Sequence, residues 1–239
     1  MPRYAPRTIG YACELLHAPR KPDAQAVQRV HNRFFEAPEP CYSSFAVTPI
    51  GPVLTNPATR QGVVSQVAFL ADRFQFREEM GGLTPEDFAD RVRMVAEAVC
   101  DETGVEFLGQ QVTLRSLVNP QSFKDARAFL AQGMLGGETA LTAFGKPPGL
   151  IGVRFAFPPD EESRAAHSVR IESYAQDSRS LFLETQSSYG RELLAEGAAS
   201  TAENVMETYQ FLIQRSLRFV ASYDRPAAAE DGNPDVSEN

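Results

Sequence analysis

Hydrophobic and polar positions along this chain recur in a pattern that runs through twice. Residues 8–16 (TIGYACELL) alternate as a strand does, and residues 23–36 carry the spacing of an amphipathic helix. Strand-like runs follow at 63–71 and 73–79, then a helix over 84–103. The series restarts with a strand at 105–118, a helix at 122–135 and strands at 150–157, 167–174 and 179–187. It closes on a helix at 200–223. Self-similarity on this scale predicts an internal duplication of a β-α-β-β-β-α unit, with residues 1–104 as one half and 105–223 as the other.

The last helix of each half has its own start signal. Thr84-Pro85-Glu86-Asp87 supplies an N-cap, a first-turn proline and an acid at the third position. Ser200-Thr201-Ala202-Glu203 reads as a capping box. Phe88, Val92, Val95 and Val99 form an apolar stripe on the first helix, as do Val205, Tyr209, Leu212, Ile213, Leu217 and Val220 on the second. Among the strands, Phe74 and Phe76 oppose Arg73, Gln75 and Arg77, and Ile151, Val153, Phe155 and Phe157 oppose Arg154. Such half-polar strands belong in an antiparallel sheet with helices on one face only. The expected fold class is therefore α+β, with helices packed on an antiparallel sheet. Residues 37–59 and 136–149 read as long irregular insertions, and 224–239 as a disordered acidic tail. An alternative grouping takes the first 118 residues as one β-α-β-β-α-β, ferredoxin-like domain, which would favour RNA binding. It is the weaker grouping, because no strand is left after the last helix to repeat it.

Composition narrows the function classes. The chain has 239 residues, 43% hydrophobic and 23% charged, enough to bury a substantial core. Its formal net charge is −8, and about half of that comes from setting the tail acids Asp224, Glu230, Asp231, Asp235 and Glu238 against Arg225. A mildly acidic body disfavours nucleic acid as a partner, since phosphate-backbone affinity is supplied by Lys and Arg. Cys13, Cys41 and Cys100 form no C-x-x-C pair and read as reduced thiols of a cytoplasmic protein. No apolar run approaches membrane-spanning length.

Catalytic signatures are absent from the pattern. His17, His31 and His167 do not share metal-ligand spacing, no nucleophile elbow occurs, and neither metal nor cofactor is predicted. His31 reads as core-facing and His17 as exposed. The glycines of Gly133–Gly137 follow a helix, and Gly81-Gly82 lacks a Walker lysine, so both read as turns. Glu14, Glu172 and Glu184 lie inside strands, where salt bridges to residues such as Arg170 and Arg179 account for them more cheaply than acid–base work.

The run Val112-Thr113-Leu114-Arg115-Ser116-Leu117-Val118-Asn119-Pro120 resembles the R-x-G-L-R-Y-x-N strand of a sporadically distributed bacterial TIGR-type protein family. Leu114-Arg115 and Asn119 match it, while the family's glycine and tyrosine are replaced. The resemblance extends to layout and length and implies no activity.

The strand arginines are the remaining lead. Arg115, Arg154 and Arg170, with Arg73 and Arg77, fall on polar strand positions where guanidinium forks suit capture of carboxylate or phosphate. Pairing with Glu172, Glu184 and Glu78 on a solvated sheet is the plainer expectation. The leading functional expectation is a non-enzymatic interaction protein that binds a protein partner or itself, as a homodimer. The alternative is binding of a small anionic ligand between the halves by Arg115, Asn119, Arg154 and Arg170.

Overall fold

Strand β1 (Arg7–His17) lies near the middle of one antiparallel sheet of nine strands in the order β2-β3-β4-β5-β1-β6-β9-β8-β7. The computed structural model describes residues 4–37, 41–161 and 163–225. After β1 come α1 (Ala24–Phe35), the hairpin β2 (Ser44–Thr48) and β3 (Gly51–Thr55), then β4 (Val64–Phe69), β5 (Arg73–Glu79) and α2 (Pro85–Thr103). The second series is β6 (Phe107–Val118), α3 (Ala126–Ala128) with a π-helical continuation Phe129–Met134, β7 (Gly152–Phe157), β8 (Ala166–Ser173) and β9 (Leu181–Gly190). It ends with α4 (Ala198–Phe211), a π-helical turn Leu212–Ser216 and α5 (Leu217–Tyr223).

The fold is thus α+β with an antiparallel sheet, as the patterning predicts. Alternate strand residues turn toward the helices and form one core: Tyr11, Cys13 and Leu15 of β1, Phe74 and Phe76 of β5, Val112 and Leu114 of β6, Leu181 and Leu183 of β9. Against them α2 places Phe88, Val92, Val95 and Val99, all buried, with the Phe88 ring stacked on Tyr11 at 5.0 Å. Each such side chain, fully buried, stabilises by about 1.5–3 kcal/mol. Thr84 caps α2 as expected: its hydroxyl accepts from the Asp87 amide, and the Asp87 carboxylate accepts from the Thr84 amide. Strands β1, β4, β5 and β6 do give a β-α-β-β-α-β order, yet β6 goes on to pair with β9 from Gly109 to Val118, so the sheet has no break after residue 118.

Several local expectations need correction. The stretch 37–59 is not irregular throughout, for it holds the β2–β3 hairpin. Its turn demands Gly51, whose φ is +146° and where a Cβ would come within 2.1 Å of the Phe69 carbonyl oxygen. The capping box at Ser200 is not formed: α4 starts at Ala198, and the Ser200 hydroxyl instead accepts from the Glu196 amide. His17 is buried, because its ring lies 4.8 Å from Phe74 and Nδ1 bonds the Ala18 carbonyl at 2.8 Å. His31 is only half-buried, between Phe35 and Phe45. Asp224, counted with the acidic tail, is buried at the end of α5 and accepts from the amides of Gln121 and Ser122, both at 2.8 Å, and from the Tyr4 hydroxyl. Residues 226–239 of that tail lie outside the described residues.

Candidate functional site

The sheet face away from the helices is the most chemically distinctive surface of the molecule. Strand pairing sets one row across it: Glu79 on β5, Gly10 on β1, Arg115 on β6, Glu184 on β9, Arg170 on β8 and Arg154 on β7. A second row runs Arg77, Ala12, Thr113, Gln186, Ser168 and Ala156. These residues share a face because strand side chains alternate and the register brings equivalent positions side by side.

Charges alternate along the first row from Glu79 to Arg170 and pair, and the row ends in the like-charged Arg170 and Arg154. Arg115 Nε donates to Glu184 at 2.9 Å, and its Nη1 reaches across Gly10 to Glu79 at 3.7 Å. Glycine at position 10 leaves the guanidinium room to lie over β1 and link β6 to β5. Arg77 meets Glu79 at 2.8 Å, while Arg73 and Gln75 hold Glu14 at 2.9 and 2.8 Å. Arg170 lies 3.6 Å from Glu184 and 3.5 Å from Glu172, with its guanidinium over the Phe182 ring at 5.2 Å. Its Nε is buried without a hydrogen bond. Between these pairs the face dips into a hollow of about 360 Å³ over Ala12, walled by Glu14, Gln75, Arg77, Gln111, Thr113 and Arg115.

The four residues predicted as a ligand site are not gathered in one place. Arg115 and Arg170 share Glu184 and sit in one ladder. Arg154 is exposed on the edge strand β7, directly opposite Arg170, and among the described residues it has no acidic partner. Asn119 is elsewhere: its Oδ1 accepts from the Ser180 hydroxyl at 2.8 Å, beside a separate polar hollow that Tyr4, Arg7 and Asp177 also line. Glu78 does not belong to this face either. It points inward, where Arg91 at 2.9 Å, Ser65 at 2.9 Å and Tyr42 at 3.2 Å surround its carboxylate. Burial pushes the Glu78 carboxyl up, against the pull of Arg91. Its partners leave no room for a substrate, so the cluster ties β5 to α2.

Other reactive groups are likewise occupied. Burial pushes the Cys13 thiol up to about 12, and the Cys41 and Cys100 thiols are raised by the same cause, so none is a ready thiolate. Gln110, Asn204, Tyr189 and Thr208 form a buried network that joins β6 and β9 to α4, in which Asn204 donates to Gln110 at 2.8 Å and the Tyr189 hydroxyl to the Asn204 carbonyl at 2.8 Å. Sequence reasoning missed this network because its members lie far apart in the chain and meet only when α4 packs on β6 and β9. Among the described residues no three His, Cys, Asp or Glu side chains are grouped to hold a metal ion, and no helix is long and apolar enough to cross a membrane. Neither models of known protein families nor curated proteins give a match to the chain.

Proposed function

We propose that the protein is a non-enzymatic, cytoplasmic interaction protein that meets a protein partner through the open face of its sheet. The observation that carries this is the placement of Arg154 opposite Arg170 at the β7–β8 edge. Like charges directly opposite in a ladder cost stability. Arg115 and Arg73 are matched by Glu79, Glu184 and Glu14, and Arg170 by Glu172 and Glu184, which leaves Arg154 as the arginine of the pair without an acid among the described residues. A like-charge pair at the rim of a polar face, in which Arg154 has no acidic partner among the described residues and the Arg170 guanidinium is seated on the Phe182 ring, suits an incoming carboxylate. The partner segment that fits is extended and acidic, laid along or beside the edge strand. Three free thiols suit a reducing compartment.

We further infer that the two halves are copies of one unit. Supporting this, the sheet order runs outward from the β1–β6 pair through β5, β4 and β3 on one side and β9, β8 and β7 on the other. The β2 strand is then an addition to the first copy. Likeness of the β6 segment to the TIGR-type family belongs to the same proposal: Leu114 is core, Arg115 is on the open face and Asn119 closes the strand.

The test is recovery of co-purifying proteins from the host with wild-type protein, R154E, T113R and the helix-side control R33Q. A partner retained by wild type and R33Q but lost from R154E and T113R supports the reading. A partner set that both face variants leave unchanged removes it.

A further inference from the structure

A second surface, separate from the open sheet face, has the features of a small-ligand pocket. A cavity of about 310 Å³ lies between α3 with its π-helical turn and the segment that leads into β7. That is near the lower end of the usual range for ligand sites, so a small occupant is implied. Ala131, Leu141, Pro148 and Ile151 give it an apolar lining, and Arg127 and Lys146 stand at its wall.

Three observations converge here. Arg127 and Lys146 have no ion-pair or hydrogen-bond partner among the described residues, and the nearby Asp125 is turned to cap α3, accepting from the Ala128 amide at 2.6 Å. Ala131 lies within the π-helical turn Phe129–Met134, a widened turn of the type that recurs at functional sites. The walls are also fixed in place: the Gly137 amide donates to the Ala131 carbonyl at 2.8 Å, and the Gly145 amide to the Thr142 carbonyl at 2.9 Å. Two unmatched cations on its wall give the space a sign.

We propose that this cavity binds a small amphipathic anion: a compact apolar body seated against Ala131, Leu141 and Ile151, with a single carboxylate held by Arg127 and Lys146. Arg127 supplies a planar fork and Lys146 a mobile point charge, the combination that suits one carboxylate at a pocket mouth. A cationic or uncharged molecule of the same shape gains nothing from either group.

The test is calorimetric titration of the full-length protein with octanoate, octanol and octylammonium. The proposal expects octanoate to bind about tenfold more tightly than octanol, with octylammonium weaker than both. K146Q, at an exposed position, and R127Q each lower octanoate affinity by about tenfold, while R154E leaves it unchanged, which keeps this site distinct from the open face. Circular dichroism melting confirms that each variant is folded. Equal binding of octanoate and octanol, wild-type octanoate affinity in both K146Q and R127Q, or no octanoate binding at all would overturn it.

Discussion

Arg154 and Arg170 are register partners in the β7–β8 ladder, two like charges facing each other at the rim of an otherwise charge-matched sheet face. Function and stability pull apart at such a position. R154E removes the like charge and gives Arg170 a further cross-strand carboxylate on β7 beside Glu184 of β9, and the expected gain is about 0.5 kcal/mol, measured as a higher urea midpoint. The same substitution abolishes partner recovery. A variant that is more stable and less functional would mark Arg154 as kept for binding.

The Asp224 carboxylate joins three parts of the chain: the start of the described chain at Tyr4, the loop after β6 and the end of α5. Its backbone and hydroxyl donors outweigh the cost of burial and hold its pKa below the ordinary 3.8. D224A leaves the amides of Gln121 and Ser122 without their acceptor, an expected cost of about 2–3 kcal/mol by chemical denaturation at neutral pH. Because the folded pKa is depressed, the stabilisation is present above 3.8 and lost as pH falls below it. Wild type and D224A should therefore converge in strong acid.

His167 is buried against Phe211, with ring centroids 4.1 Å apart, and bonds Ser187 at 2.8 Å and Ser163 at 3.1 Å through its two nitrogens. Burial holds its pKa below the ordinary 6.5, against a smaller upward pull from Asp160. The folded state thus binds this proton less readily than the unfolded state. Stability is full above 6.5 and declines as pH falls through that value toward the folded pKa. The check is the denaturation midpoint at about pH 7.5 and about pH 5.5: wild type should lose more than H167Q over this interval. Equal losses would show that His167 does not contribute to the decline.

G51A tests the β2–β3 turn. A side chain there meets the Phe69 carbonyl and a left-handed φ together, so a loss of at least about 2 kcal/mol is expected in urea unfolding. Gly62, also at positive φ but with open space where a methyl group would sit, should lose less when changed to alanine.

Strand alternation made most of the sheet legible in the sequence. Phe74 and Phe76 against Arg73, Gln75 and Arg77, and Val153 and Phe155 against Arg154, assign faces that the structure keeps. The β2–β3 hairpin was not legible, since Pro52 and the prolines around it argue against a strand. Its position explains the tolerance: Pro52 is in register with Val47 of β2, but β4 pairs with β3 only from Val53 onward, so Pro52 has no partner on that side. The start of α4 was misread because Ser200 and Thr201 look like cap residues, whereas both are buried inside the helix against the sheet. Of the candidate site, the shared face of Arg115, Arg154 and Arg170 followed from parity within strands. Asn119 was drawn in with Arg115 by the strand motif that the two residues match, and the end of β6 carries it away. Which strands neighbour which is a long-range property, so the Arg154–Arg170 juxtaposition had no signal in the sequence.

The most direct measurement is native mass spectrometry of protein purified gently from its host, wild type beside R154E. The account predicts a second polypeptide bound to wild type and absent from R154E, with both proteins folded. A polypeptide bound equally to both, or wild type that carries no partner, would contradict it.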